Sequence, residues 1–191
     1  MTFDKLNKKL EPLRQKWIKR FEPLFRPSPA RLPPLREVNH TIPLINPEAR
    51  YSTCTLHCSS ALFPLLRGKT ERYIKAGWWV LAHGQNAVPL LSPKTGKELK
   101  LQTIIDARER NANTVLDSTP LPNQDMIREA VAAHPFITII DISDAYEQLR
   151  IVPEDVPKTL FSSPLGTYVS NTLQQGDCNG PSSWQRFMTV R

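Results

Sequence analysis

Cysteine is scarce in this sequence, with three in 191 residues at positions 54, 58 and 178. Thiols so few and so unevenly spaced cannot form a disulfide framework, which excludes the small secreted scaffolds and favours a reducing compartment. Cys54, His57 and Cys58 lack a second ligand pair at any spacing familiar from zinc sites. No uninterrupted apolar run approaches the roughly 20 residues of a membrane span, and no apolar core leads to a cleavage site near the N-terminus. The expectation is a soluble intracellular protein, cytoplasmic or nuclear, with no membrane partner. Glycine is sparse as well, 7 residues, whereas proline reaches 18, eight of them in the first 47 positions. Proline removes amide donors and fixes φ, so this quarter is not expected to be compact. Acidic residues are thin in the same place. Residues 1–50 hold 11 Lys+Arg against 5 Asp+Glu, and residues 51–191 hold 14 against 13. Almost all of the net charge of +7 therefore sits on an N-terminal arm, which favours polyanions such as nucleic acid, although a solvated helix face carries such charge as often.

What is present divides into three stretches. Phe3, Leu6, Leu10, Leu13, Trp17, Phe21 and Leu24 recur at helical spacing, with Lys and Arg on the other face, and predict an amphipathic basic helix over 1–25 that Pro12 restarts and Pro23 ends. Residues 26–59 read as an extended Pro-rich linker. From residue 60 the pattern mixes helices and strands. A helix is expected over 62–76, with Leu66, Tyr73 and Ile74 on one side and Gly77 as its stop. Trp78–Leu81 and Ala87–Leu91 read as strands around a turn at 83–86. Leu99–Ile105 reads as another strand, reached through a basic turn at 93–97. Asn123 caps a helix through Ala133 with Met126, Ile127 and Val131 inward. Residues 158–162 and 167–170 form a hairpin across Pro164-Leu165-Gly166. Gln174–Gly180 is a polar turn, and Pro181 opens a helix carrying Trp184, Phe187 and Met188.

The chain is organised around Phe136–Gln148. Phe136–Ile140 is short, apolar and rich in β-branched residues, which predicts a buried strand that ends on Asp141. A carboxylate at the end of a strand is held where a metal or a reacting group can meet it. Asp144 would cap the short helix that follows through Arg150.

Asp141-Ile142-Ser143-Asp144-Ala145-Tyr146-Glu147-Gln148 resembles the first catalytic motif of the reverse transcriptases. Further matches run from Gly84-Gln85-Asn86-Ala87-Val88-Pro89 and Ile105-Asp106-Ala107-Arg108 through Pro120-Leu121-Pro122 and Pro157–Phe161 to Gly166–Ser170 and Gln174–Asn179. Together they cover about residues 60–191 and resemble the reverse transcriptase of a gypsy-class long-terminal-repeat retrotransposon Pol polyprotein. The resemblance implies an α+β fold, the fingers and partial palm of the RNA-directed DNA polymerases. It also implies an RNA template, a DNA primer, deoxynucleoside triphosphates and two Mg²⁺ ions as partners. In this family two cations activate the primer hydroxyl and neutralise the triphosphate. Asp141 and the carbonyl of Ile142 are then metal ligands. Tyr146 would exclude a 2′-hydroxyl, the amides of Asp144 and Ala145 would receive phosphate oxygens, and Gln175 and Gly176 would contact nucleotide and template. Lys94 matches the finger lysine that meets the terminal phosphate, and Lys97, Lys100 and Arg108 would contact nucleic acid.

Two departures stand out. Gln102 occupies the position where the family carries a triphosphate-clamping Arg, and Gln has neither the charge nor the bidentate fork. The family's adjacent Asp pair, its second metal-binding motif, occurs nowhere in the sequence. The expectation is a fragment of a longer Pol polyprotein, or a truncated frame, inactive alone. The alternative is a non-catalytic remnant that binds nucleic acid through the basic arm and the lysine hairpin.

Overall fold

The computed structural model describes residues 3–27, 29–52, 58–91, 94–95, 100–101, 103–135 and 137–190, with only the backbone described for 3–6, 94, 95 and 100. Helix α1 (Phe3–Arg20) runs through Pro12 without breaking, and a 3-10 turn at Glu22–Phe25 follows. Helix α2 (Phe63–Lys75) stops at Gly77, whose φ of +75° ends the helix as expected. Leu66 and Tyr73 face the core from α2, but Ile74 is exposed, so the inward stripe is narrower than the sequence suggests.

Five strands form one sheet in the order β1-β7-β6-β2-β5: β1 (Trp79–Leu81), β2 (Val88–Leu91), β5 (Ile104–Ile105), β6 (Phe161–Ser163) and β7 (Gly166–Ser170). The expected hairpin of β6 and β7 is present, closing Ser163 onto Gly166. In contrast, β1 and β2 do not pair across the 83–86 turn. β1 runs antiparallel to β7, and β2 lies parallel to β6 and antiparallel to β5. Pro89 is tolerated in this inner strand because β2 changes partner there, pairing with β6 at 88–89 and with β5 at 90–91. The strand expected over 99–105 is split into β4 (Lys100–Leu101), which pairs with β3 (Lys94–Thr95), and β5.

One apolar cluster sits between α2 and the sheet, with Tyr73, Trp78, Trp79, Phe161 and Tyr168 at its centre. Tyr73 meets Trp78 edge to face, with ring centroids 4.9 Å apart at 88°, and Trp79 meets Phe161 at 4.8 Å. Such pairs add roughly 0.5–1.5 kcal/mol each beyond the area they bury.

Among its described residues the Pro-rich segment forms no helix or strand of its own, yet it is docked. His40 and Ile42 are fully buried. His40 bridges in parallel to Ile151, and Ile42 N–H donates to Asp155 Oδ2 at 2.7 Å. The polar turn at 174–180 is equally internal. Asp177 Oδ2 lies 3.2 Å from His40 Nε2 and 3.4 Å from Arg110 Nη2, and all three side chains are sealed from solvent. Arg110 belongs to α3 (Arg108–Ala112).

Two apolar elements lie outside the core, contrary to their sequence pattern. Helix α4 (Gln124–Ala132) is capped by Asn123, whose side chain accepts from the amides of Asp125 and Met126. Its Met126, Ile127 and Val131 are nonetheless exposed rather than inward, because no element packs on that face among the described residues. Residues 137–140 are not a strand, and Ile139 is 91% exposed. β-branched composition favours a pleated, half-buried surface, and here no described strand lies alongside to pair its backbone, so the run stays solvated. Phe136 lies outside the described residues. Helix α5 (Gly180–Thr189) forms where expected, with Trp184 and Phe187 half-buried and Met188 exposed.

Candidate active-site cleft

The exposed run delivers Asp141 to the rim of an open cleft of about 820 Å³, lined by Asp141, Ile142, Asp144, Ala145 and Tyr146 on one side and by Gln175, Leu101, Lys69 and Arg72 around the rest. Asp141 therefore stands in solvent at the cleft, at the tip of an extended segment rather than of a strand. Beyond it the chain turns sharply. Asp144 adopts φ +49°, and a 3-10 turn at Tyr146–Gln148 replaces the expected longer helix. Asp144 is not its cap: the capping position is Ala145, and the Asp144 carboxylate instead receives Arg72, Nη2 to Oδ1 at 3.0 Å and Nη1 to Oδ2 at 3.2 Å. A nearby forked cation offers this carboxylate more than lone amides can. The hydrogen bond to Asp144 raises the Arg72 pKa above its ordinary value.

Tyr146 is half-buried, its ring 6.2 Å from Trp184 of α5, and burial followed by the charge of Asp177 pushes its hydroxyl above the usual phenol range. Gly180 lies beside the ring, and a Cβ there would meet it at contact distance, 3.4 Å. Gln175 enters the cleft from the turn after β7. Its carbonyl accepts from Ile105 N–H, and Gly176 holds φ +109° beneath it, so close that a Cβ would come within 2.3 Å of Ile105 O.

Lys69 and Arg72 line the cleft without having been singled out in the sequence, and Tyr73 was expected only as a core residue. Lys69 donates to Thr103 Oγ1 at 2.5 Å, and burial pushes its pKa down against the pull of Glu147. Tyr73 OH donates to Glu147 at 2.7 Å, and burial, then Glu147, pushes its pKa far up. The signal for Lys69, Arg72 and Tyr73 is their shared face on α2, which charge alone disguised as solvated surface.

Lys94 and Lys100 occupy paired strands β3 and β4 of the expected hairpin, whereas Lys97 and Gln102 lie outside the described residues, as do Cys54 and His57. Arg108 is elsewhere. It pairs with Asp106, Nη2 to Oδ2 at 2.7 Å, beside a second cleft of about 450 Å³ that Tyr51, Ser52 and Glu109 also line. The pairing holds the Asp106 carboxyl below its usual range.

No group of three His, Cys, Asp or Glu side chains suited to a metal ion occurs among the described residues. Asp141 has an exposed carboxylate, but Asp144 is engaged by Arg72 and Glu147 by Tyr73. This donor set does not fit a pair of divalent cations.

The sheet, α2 and the cleft define the fingers and part of the palm of the polymerase fold. Two structures of foamy viral protease-reverse transcriptase, one in complex with double-stranded DNA and one with an RNA/DNA hybrid, superpose with TM-scores of 0.70 and 0.68. They cover 92% and 95% of this chain, which is 37% and 24% of theirs, at 16% and 13% identity. In sequence, the chain is 33% identical over 89 residues to the retrovirus-related Pol polyprotein from transposon 297 of Drosophila melanogaster. It is 34% identical over 93 residues to the enzymatic polyprotein of Soybean chlorotic mottle virus. These matches take in 47% and 48% of this chain but only 8% and 13% of those polyproteins. No protein-family profile matches. The fold is that of the fingers and part of the palm of the reverse transcriptases, and about half of the sequence is similar to a part of retrotransposon and viral polyproteins. No described helix is long and apolar enough to cross a membrane.

Proposed function

We propose that the cleft is the nucleotide site of an RNA-directed DNA polymerase from a gypsy-class retrotransposon, present here as its fingers and partial palm. The supporting observation is that the 141–146 stretch, with Asp141 and Tyr146, lines one cleft together with Gln175 from the turn after β7 and Lys69 and Arg72 from α2. Asp141, with the Ile142 carbonyl beside it, is the carboxylate this chain would contribute toward an Mg²⁺ ion, and it does not by itself complete a two-ion site. Tyr146 sits under the incoming sugar, Ala145 and Asp144 amides and Gln175 approach the phosphates and template, and the Lys94–Lys100 hairpin meets the triphosphate and the template-primer duplex. The 191 residues alone do not extend a primer, because the donor set is incomplete and the remaining carboxylates belong to further parts of a Pol polyprotein. Its place is intracellular, in cytoplasm or nucleus.

Two measurements test this reading. Fluorescently labelled dATP should bind the chain and be displaced by unlabelled dATP. Primer extension on poly-rA with Mg²⁺ should give no product, and synthesis by these residues would overturn the claim of inactivity.

The basic arm favours the second reading, of nucleic-acid binding without chemistry. Affinity for a poly-rA strand should fall as salt rises, by a slope of about 0.7 per phosphate neutralised. A curve independent of salt would exclude it.

A further inference from the structure

We propose that Arg72 is the positioning residue for Asp141: its fork to Asp144 ties the 141–145 loop to α2 and so sets where the Asp141 carboxylate stands. The inference rests on the reading of the cleft given above. Residues 137–140 have no strand partner among the described residues, and Ile137, Ile139, Ile140 and Ile142 are all exposed. Among the described residues, then, no backbone pairing fixes the segment that carries Asp141, and its apolar side chains are largely exposed, with only Ile137 and Thr138 beside the apolar face of α1.

Side-chain links from α2 do act on it. The Arg72 fork to Asp144 spans 3.0 and 3.2 Å, and the neighbouring Tyr73 hydroxyl donates to Glu147 at 2.7 Å. Arg72 is itself braced. Its guanidinium carbon lies 5.1 Å from the Tyr73 ring centroid and 5.5 Å from that of Trp78, rings that belong to the core. A guanidinium held over aromatic faces loses little further freedom when its edge engages a carboxylate. The partner is also well chosen. Asp144 is the residue at which the loop reverses, with φ +49°, a conformation an Asp tolerates better than most side chains. Holding that side chain fixes the direction in which the preceding residues leave, and Asp141 is three positions back. The fingers helix thereby acts on the palm carboxylate through Asp144.

Amide hydrogen exchange by mass spectrometry on the full 191-residue chain tests the proposal without requiring activity. In Arg72→Gln, amides of 141–146 should exchange about tenfold faster, while peptides from β1, β6 and β7 keep their rates. Asp144→Asn should give the same rise, and the double variant no more than either single one. Arg72→Lys keeps the charge but not the fork and should leave most of the rise in place. Unchanged exchange at 141–146, additive effects in the double variant, or acceleration spread through the sheet would each overturn the role. Labelled dATP should also bind Arg72→Gln more weakly than wild type. If the wild-type chain takes up no dATP, the nucleotide reading fails, and the exchange data still decide the role of Arg72.

Discussion

His40 and Asp177 meet inside the protein, with Nε2 and Oδ2 3.2 Å apart and both side chains closed off from solvent. The other His40 nitrogen lies 2.9 Å from Ser183 Oγ, and Arg110 donates to the same Asp177 oxygen and to Gln174 Oε1. One joint therefore fastens the Pro-rich segment, α3, the 174–180 turn and α5. Asp177→Ala would leave the Arg110 guanidinium buried without its counter-charge and should cost about 3–5 kcal/mol. Urea denaturation followed by tryptophan fluorescence measures this. A loss below about 1 kcal/mol would show that the joint is not structural.

The same carboxylate gives stability a pH dependence. Burial raises the Asp177 pKa, but His40 through its hydrogen bond and charge, Arg110 and the Asn179 amide outweigh it, and the net shift is downward. A carboxyl depressed in the folded state binds fewer protons there than in the unfolded chain. Its contribution is fully present above the unfolded value of about 4 and is lost as pH falls through the lower folded value. Urea midpoints should fall steeply below about pH 4 in the wild type and less steeply in Asp177→Asn.

Gly176 has no room for a side chain. At φ +109° and with Ile105 O 2.3 Å from where a Cβ would be, Gly176→Ala must shift the turn that presents Gln175. The expected cost is about 2 kcal/mol or more, read as a lowered melting temperature. Gly68, within α2 and with nothing near its missing Cβ, is the control. Gly68→Ala should stabilise by about 0.5–1 kcal/mol.

Tyr146 should decide between sugars. Displacement of labelled dATP by ATP and by unlabelled dATP gives the ratio of affinities, and Tyr146→Ala should bring that ratio toward one. An unchanged ratio would remove Tyr146 from the sugar site.

Exposed isoleucines at the cleft's approach should make the chain associate with itself. Ile139 and Ile140 are 91% and 77% exposed, and a patch of this kind is an association surface. Light scattering should show less association in the Ile139→Ser, Ile140→Ser double variant than in the wild type.

Some local signals were legible where one residue or turn carries them, although Pro12 does not restart α1 and Asp144 is not a cap. Gly77 stops α2, Asn123 caps α4 and Pro164-Leu165-Gly166 turns between β6 and β7, each by chemistry within a few residues. Pairing of β2 with β6 rather than β1 was hidden, because partner choice depends on contacts distant in sequence. Burial failed in both directions for the same reason. His40, Arg110 and Asp177 look like surface residues until their polar groups are seen to meet one another, while Met126, Ile127 and Ile139 look like core but are exposed among the described residues. In the cleft, the contiguous 141–146 motif was visible as a unit. Arg72 was not, since its role depends on a fork to a residue 72 positions away.

The docked proline segment has a consequence for how the molecule is made. His40 N–H donates to Arg150 O and its carbonyl accepts from Val152 N–H, while its ring waits for Asp177 and Ser183. A ribosome would release this strap long before its seats were synthesised. Closure must therefore wait until residues 150–183 have been synthesised, and a chain stalled before Ser183 would leave the strap unfastened and open to proteases.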